Sequence, residues 1–192
     1  MRVIAGTLRS RKLEAPAGMA TRPTSDRLRE TLFNVLAPCI RGAHFLDLYA
    51  GSGAVGIEAL SRGAADVVFV EKAQPAIKVL RANLDQLGLT GGFSIIPGSV
   101  TAYLRKPQGT SRFDAVFLDP PYDAAAEYTA VLELLGGTAS GLLSDDAVVI
   151  AEHRRKEKLN DEYGTLRRTR LLEQGDAALS FYTAGRTTTR YR

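Results

Sequence analysis

Cysteine and histidine are scarce: Cys39 is the one thiol, and His44 and His153 are the only imidazoles in 192 residues. One cysteine cannot close an internal disulfide, and so few soft ligands leave no metal cluster, so zinc and nucleophilic-cysteine chemistry are not expected. Cys39 follows Pro38 at the end of an apolar helix face, the setting of a small buried hydrophobe. His44 opens a strand-like run and His153 follows one, so both read as structural or exposed. Long apolar runs are missing too. None approaches the roughly 18 residues that span a bilayer, and no apolar signal segment opens the chain, so a cytoplasmic protein with no membrane contact is expected. Internal repeats, low-complexity tracts and flexible linkers are also lacking. The length and a 45% apolar content suit a single compact enzyme.

Charge is unevenly placed. Residues 1 to 42 carry 8 Lys/Arg against 3 Asp/Glu, residues 43 to 150 carry 7 against 12, and residues 151 to 192 carry 10 against 6. A net acidic middle is thus flanked by two basic ends, the asymmetry expected where a neutral-to-cationic cofactor and a polyanionic substrate meet in one protein. Basic clusters supply most of the sequence-independent affinity for phosphates. We divide the chain accordingly into a basic extension, residues 1–42, and a catalytic domain, residues 43–192. In the extension, Arg2 to Leu13 holds two short strand-like runs around a glycine turn, consistent with a small hairpin. Thr24-Ser25-Asp26 then caps a helix with Leu28, Leu32, Val35 and Leu36 on one face and Arg27 and Arg29 on the exposed one.

From Ala43 onward strand-like and helix-like runs alternate. Strands are expected near 44–49, 66–71, 93–96, 113–118 and 147–152, with helices between them, which predicts a parallel α/β sheet covered on both faces. Two further runs, 166–173 and 177–182, flank Gln174-Gly175-Asp176, a hairpin signal. The expected architecture is a mostly parallel seven-stranded sheet finished by an antiparallel hairpin.

The first strand leads into Gly51-Ser52-Gly53-Ala54-Val55-Gly56 and a helix. That order marks a nucleotide-type site, because glycine lets the backbone approach a ligand closely. NAD and S-adenosylmethionine both fit the glycines. Asp47, four residues before Gly51, is placed to reach a cationic amino-acid end, which favours S-adenosylmethionine. Glu71 closes the second strand, where a carboxylate accepts both ribose hydroxyls, and it serves either cofactor equally. Ser99 and the backbone of Val100 follow the third strand on the ligand side and face the adenine.

Asp119-Pro120-Pro121-Tyr122 closes the apolar run 113–118. These four residues suit methylation of a nucleobase amino group. That nitrogen is a poor nucleophile because its lone pair is delocalised into the ring, so it must be held with the lone pair aimed at the electrophile. Asp119 and the Pro120 carbonyl offer two acceptors for its two N–H groups, the prolines stiffen the turn, and Tyr122 offers a flat face for an unstacked base. The same four residues also make an ordinary turn, so the motif gains its meaning from the glycine turn upstream.

Phe45 to Gly53, Glu58 to Ala64, Asp119 to Tyr122 and the leader Arg22 to Phe33 together resemble the RsmD family, bacterial S-adenosylmethionine-dependent methyltransferases that modify a guanine N2 in small-subunit (16S) ribosomal RNA. The likeness runs from Arg2 to Tyr182. It implies a Rossmann-like class I methyltransferase fold, Asp119 to Tyr122 as the amino-group site, and Asp47, Tyr49, Gly51, Gly53 and Glu71 as cofactor contacts. It also implies an RNA-binding role for the leader, with Arg2, Arg9, Arg11, Lys12 and Arg22 as contacts and the small ribosomal subunit as partner; a monomer is compatible with all of this. Ser99 departs from the pattern, since many related enzymes carry an acid there, so adenine recognition rests more on backbone groups. Two competing readings remain: a DNA amino-methyltransferase acting on adenine N6 or cytosine N4, and a non-catalytic RNA-binding ribosome-assembly factor.

Overall fold

The structure, a computed structural model, describes residues 1–15, 25–106, 112–121 and 125–184; Arg22 and Tyr122 lie outside the described residues. Eight strands form one sheet: β1 (His44–Leu48), β2 (Asp66–Glu71), β3 (Phe93–Pro97), β4 (Phe113–Leu118), β5 (Leu143–Arg154), β6 (Glu162–Tyr163), β7 (Leu166–Gln174) and β8 (Ala177–Ala184). Their order is β3-β2-β1-β4-β5-β8-β7-β6. The strands from β3 across to β5 pair in parallel, and β5, β8, β7 and β6 pair antiparallel. The expected hairpin end is therefore present. The eighth strand, β6, escapes sequence reading because two residues carry no periodicity; Tyr163 holds it, with its ring 5.8 Å from that of Tyr182.

Side-chain alternation along each strand builds a core on each face. Phe45, Phe69, Phe117 and Ile150 pack under α1 (Asp26–Leu36), α2 (Ala54–Ser61) and α3 (Gln74–Gln86). Leu46, Leu48, Val70, Leu118 and Val149 pack under α4 (Val100–Arg105) and α5 (Ala125–Gly136). Strand order reverses between β1 and β4: β2 and β3 extend the sheet on one side of β1, and β4 and β5 on the other. Such a reversal leaves a crevice at the carboxyl ends of the two strands, where ligands bind in open α/β sheets.

The leader lies against this core. In place of a hairpin with two strands, there is one antiparallel bridge, Arg2 to Lys12, flanked by bonds from Val3 N to Arg11 O at 2.9 Å and from Leu13 N to Met1 O at 3.1 Å. Val3 and Leu13 join the same buried cluster as Leu32, Phe33 and Phe45. Helix α1 begins where Ser25 Oγ accepts from Leu28 N at 3.1 Å. One expectation fails on this helix: Arg29 is not on the exposed face but fully buried, at 0% exposure. Part of the cost is offset through Nη2 of the guanidinium and through nearby carboxylates, while Nε and Nη1 have no hydrogen-bond partner among the described residues. Its Nη2 donates to Arg2 O at 2.5 Å and Asp26 Oδ1 at 3.0 Å, and its Nε lies 3.8 Å from Glu58 Oε2.

Candidate active site

The glycine turn leaves β1 through Tyr49, a non-glycine residue at φ +63°. A left-handed residue of this kind costs on the order of 1 to 3 kcal/mol and persists where its surroundings over-determine it. Gly53 follows at φ +79°, and a Cβ there would stand 2.2 Å from Leu80 Cδ1 on α3. Glycine is required for both reasons. The turn is held by Glu71 at the end of β2: Oε2 accepts from Gly51 N at 2.9 Å and Oε1 from Ala73 N at 2.8 Å. Each oxygen retains a second lone pair, so the carboxylate is aligned by the backbone and still able to accept hydroxyl donors.

Asp47 sits deeper. It is 2% exposed, and its Oδ2 accepts from Gly56 N at 2.9 Å in the first turn of α2. Burial pushes its carboxyl up to about 7 against the opposing effect of that hydrogen bond, and the charge on Glu71 adds to the rise. One oxygen thus ties the strand to the helix that follows the glycine turn, so Asp47 supports the turn besides any ligand contact.

Asp119 emerges half-buried from β4, followed by buried Pro120 and exposed Pro121. Leu118 pairs with Leu48 of β1 and with Ala151 of β5, so the next residues stand side by side, Asp119 and Tyr49 just past the ends of β4 and β1 and Glu152 still within β5. Desolvation first, then Glu152 and Asp47, hold the Asp119 carboxyl well above the usual carboxylate range. Such a group readily takes N–H donors, because they relieve the desolvation of its charged form. Glu152, 2% exposed, was missed from the sequence. Its signal was available: like Glu71 and Asp119, it is an acid that closes a buried apolar run.

Glu71, Ser99, Val100, Tyr49 and Glu127 line one cleft at this end of the sheet. Ser99 caps α4, its Oγ accepting from Ala102 N at 3.2 Å, which leaves the hydroxyl one further lone pair. Across the cleft, Tyr49 Oη donates to Glu127 Oε2 at 2.5 Å. Burial and the neighbouring Glu127 carboxylate both hold the Tyr49 phenol above its ordinary range.

Arg2, Arg9, Arg11 and Lys12 are all exposed, on a leader wired to the helices around the cleft. Glu58 of α2 accepts from Ile4 N at 2.7 Å and Ala5 N at 2.9 Å, and it pairs with Arg62 at 2.7 Å. Ser61 Oγ accepts from Leu8 N at 3.0 Å and donates to Ala5 O at 2.5 Å. Arg11 Nη2 donates to Gln86 O at 3.3 Å. Asn83 of α3 accepts from Glu14 N and donates to Glu14 O; Glu58, Ser61 and Asn83 were not legible as leader contacts because their partners in the leader are backbone groups far away in sequence.

The described site thus joins a glycine turn, the acid Glu71 that supports it and a second acidic strand end at a topological switch point. Known proteins are similar to this chain. The chain is 37% identical over 183 residues to the Bacillus subtilis (strain 168) protein YlbH, covering 95% of this chain and 98% of that one. It is 40% identical over 152 residues to ribosomal RNA small subunit methyltransferase D of Escherichia coli (strain K12), 79% of this chain and 74% of that one. Among solved structures, the Escherichia coli methyltransferase yhhF superposes with a TM-score of 0.83 at 34% identity, covering 96% of this chain and 97% of that one. The family described as conserved hypothetical protein 95 matches residues 1–183, and the chain belongs to it, the RsmD family that its motifs resemble.

Proposed function

We propose that this protein transfers a methyl group from S-adenosylmethionine to the exocyclic N2 of a guanine in small-subunit ribosomal RNA, on an assembled or assembling 30S particle. The observation that carries the reading is the pairing of the Glu71-supported glycine turn with Asp119-Pro120 at neighbouring strand ends. The relatives named ribosomal RNA small subunit methyltransferase D supply the substrate class. The acceptor set fits the cofactor: Glu71 and Glu127 line the cleft and Asp119 follows the neighbouring strand β4, which favours a sulfonium and an ammonium and disfavours the pyrophosphate of NAD. When bound, that cofactor supplies an electrophilic methyl group.

The protein's own residues supply positioning. Glu71 orients the ribose hydroxyls, and Ser99 and Val100 border the adenine. Asp119 and the Pro120 carbonyl accept the two N–H groups of the target amine and direct its lone pair along the transfer line, with Tyr122 stacking on the base. As nitrogen gains a carbon its remaining protons become acidic, and one leaves to Asp119 or to solvent. Exposed Arg2, Arg9, Arg11 and Lys12, together with Arg22, contact RNA phosphates from the extension. Labelled S-adenosylmethionine incubated with small-subunit particles, large-subunit RNA and DNA tests the reading. N2-methylguanosine confined to small-subunit RNA is expected; N6-methyladenine or N4-methylcytosine in DNA favours the DNA enzyme, and no transfer favours an assembly factor.

A further inference from the structure

The proposed ligand requires acceptors in the cleft for the amine of its adenine. Adenine carries an exocyclic amine with two N–H donors, and a buried donor left without a partner is costly. Ser99, two residues past the end of β3, already caps α4 by accepting from Ala102 N and keeps one lone pair for a ligand, against the two N–H groups of the amine. Glu127 lines the same cleft as Ser99 and Val100. Its Oε2 accepts from Tyr49 Oη at 2.5 Å, while its Oε1 has no hydrogen-bond partner among the described residues. An acid in the first turn of α5 is stabilised by the helix N-terminus. That accounts for the charge but not for its alignment, which comes from Tyr49 reaching across from the glycine turn.

We propose that Glu127, positioned by Tyr49, accepts a hydrogen bond from the adenine amino group of the cofactor. The proposal rests on the reading of this cleft as the S-adenosylmethionine site. It makes Glu127 a determinant of nucleobase specificity and Tyr49 a positioning residue, and it explains why a tyrosine hydroxyl stands at a strained turn.

Calorimetric titration with S-adenosylhomocysteine and with S-inosylhomocysteine, which carries a carbonyl in place of the amine, tests it. The wild-type chain should prefer the adenosyl compound by about tenfold or more, the size of one hydrogen bond to a charged group. Glu127→Ala should lose about that factor for the adenosyl compound alone, so that the preference collapses. Glu127→Gln, which keeps an amide oxygen, should retain part of it, and Tyr49→Phe should reduce it. An unchanged preference in Glu127→Ala, or an equal gain or loss for both compounds, overturns the proposal while leaving the cofactor site standing. Failure of the wild-type chain to bind either compound overturns the cofactor reading itself.

Discussion

Asn83 holds Ser52: its Nδ2 donates to the Ser52 carbonyl at 3.0 Å, in the middle of the glycine turn. The same fully buried amide donates to Glu14 O at 3.1 Å and accepts from Glu14 N at 2.8 Å. One side chain on α3 therefore clamps both the cofactor turn and the basic leader. Asn83→Ala leaves three backbone groups unsatisfied, so it should destabilise the fold by about 1 to 3 kcal/mol and weaken S-adenosylhomocysteine binding as well. Denaturant unfolding and calorimetry measure the two effects. Unchanged values for both would show that the clamp is idle.

Gly6 sets how the leader docks. It sits at φ +83°, and a Cβ there would stand 1.8 Å from the Ser61 carbonyl oxygen on α2. Gly6→Ala should lift the leader from α2, reduce RNA affinity and methylation, and leave cofactor binding close to normal. Changing Arg9, Arg11 and Lys12 together to Ala should weaken RNA binding without displacing the leader, and should flatten its salt dependence by roughly one unit of slope per lost phosphate contact. Normal methylation of ribosomal particles by both variants would make the basic run a solvated face.

Asp47 should imprint a pH dependence on stability. Its folded value of about 7 lies above the ordinary 3.8, so between these values the native state keeps a proton that the unfolded chain has released. Stability must fall as pH rises through that window, by up to about 1.4 kcal/mol per pH unit. Asp47→Asn keeps an oxygen for Gly56 N and does not titrate. Unfolding of both proteins at about pH 5 and about pH 8 should show the variant gaining on the wild type toward the higher pH. Parallel curves would contradict the assignment.

In the proposed reaction Asp119 serves the target amine as a carboxylate, so methyl transfer should rise with pH through its raised value. Since Glu152 contributes to that rise, Glu152→Gln should move the limb of the pH-rate profile to lower pH. Single-turnover rates on small-subunit particles give both profiles. A limb that stays in place in Glu152→Gln would mean that another group titrates.

What the sequence disclosed follows from how local each signal is. The glycine turn, the acids at the ends of β2 and β4 and the alternating core were legible because φ, burial and period two act on neighbouring residues. Arg29 was misread because its charge was taken to mark an exposed face, although helical spacing sets it between Phe33 and Leu36 on the buried stripe, and its ion-pair partner Glu58 lies on another helix, far away in sequence. Tyr49 and Glu127 meet only after the sheet has ordered β1 beside β4. Leader docking through Asn83, Glu58 and Ser61 uses backbone partners, and these leave no pairwise mark in the chain. Arg22 and Tyr122 lie outside the described residues, so their roles rest on the motifs alone.

The central claim is that Asp119 holds the amine while the phosphates are held elsewhere. Single-turnover methyl transfer by Asp119→Ala, with saturating cofactor and small-subunit particles, tests it most directly when RNA affinity is measured alongside. The account predicts a rate lower by on the order of a hundredfold or more, the size of a positioning loss, with RNA affinity retained because phosphate contacts lie elsewhere. A near-normal rate would reduce Asp119-Pro120-Pro121-Tyr122 to a turn and contradict the account.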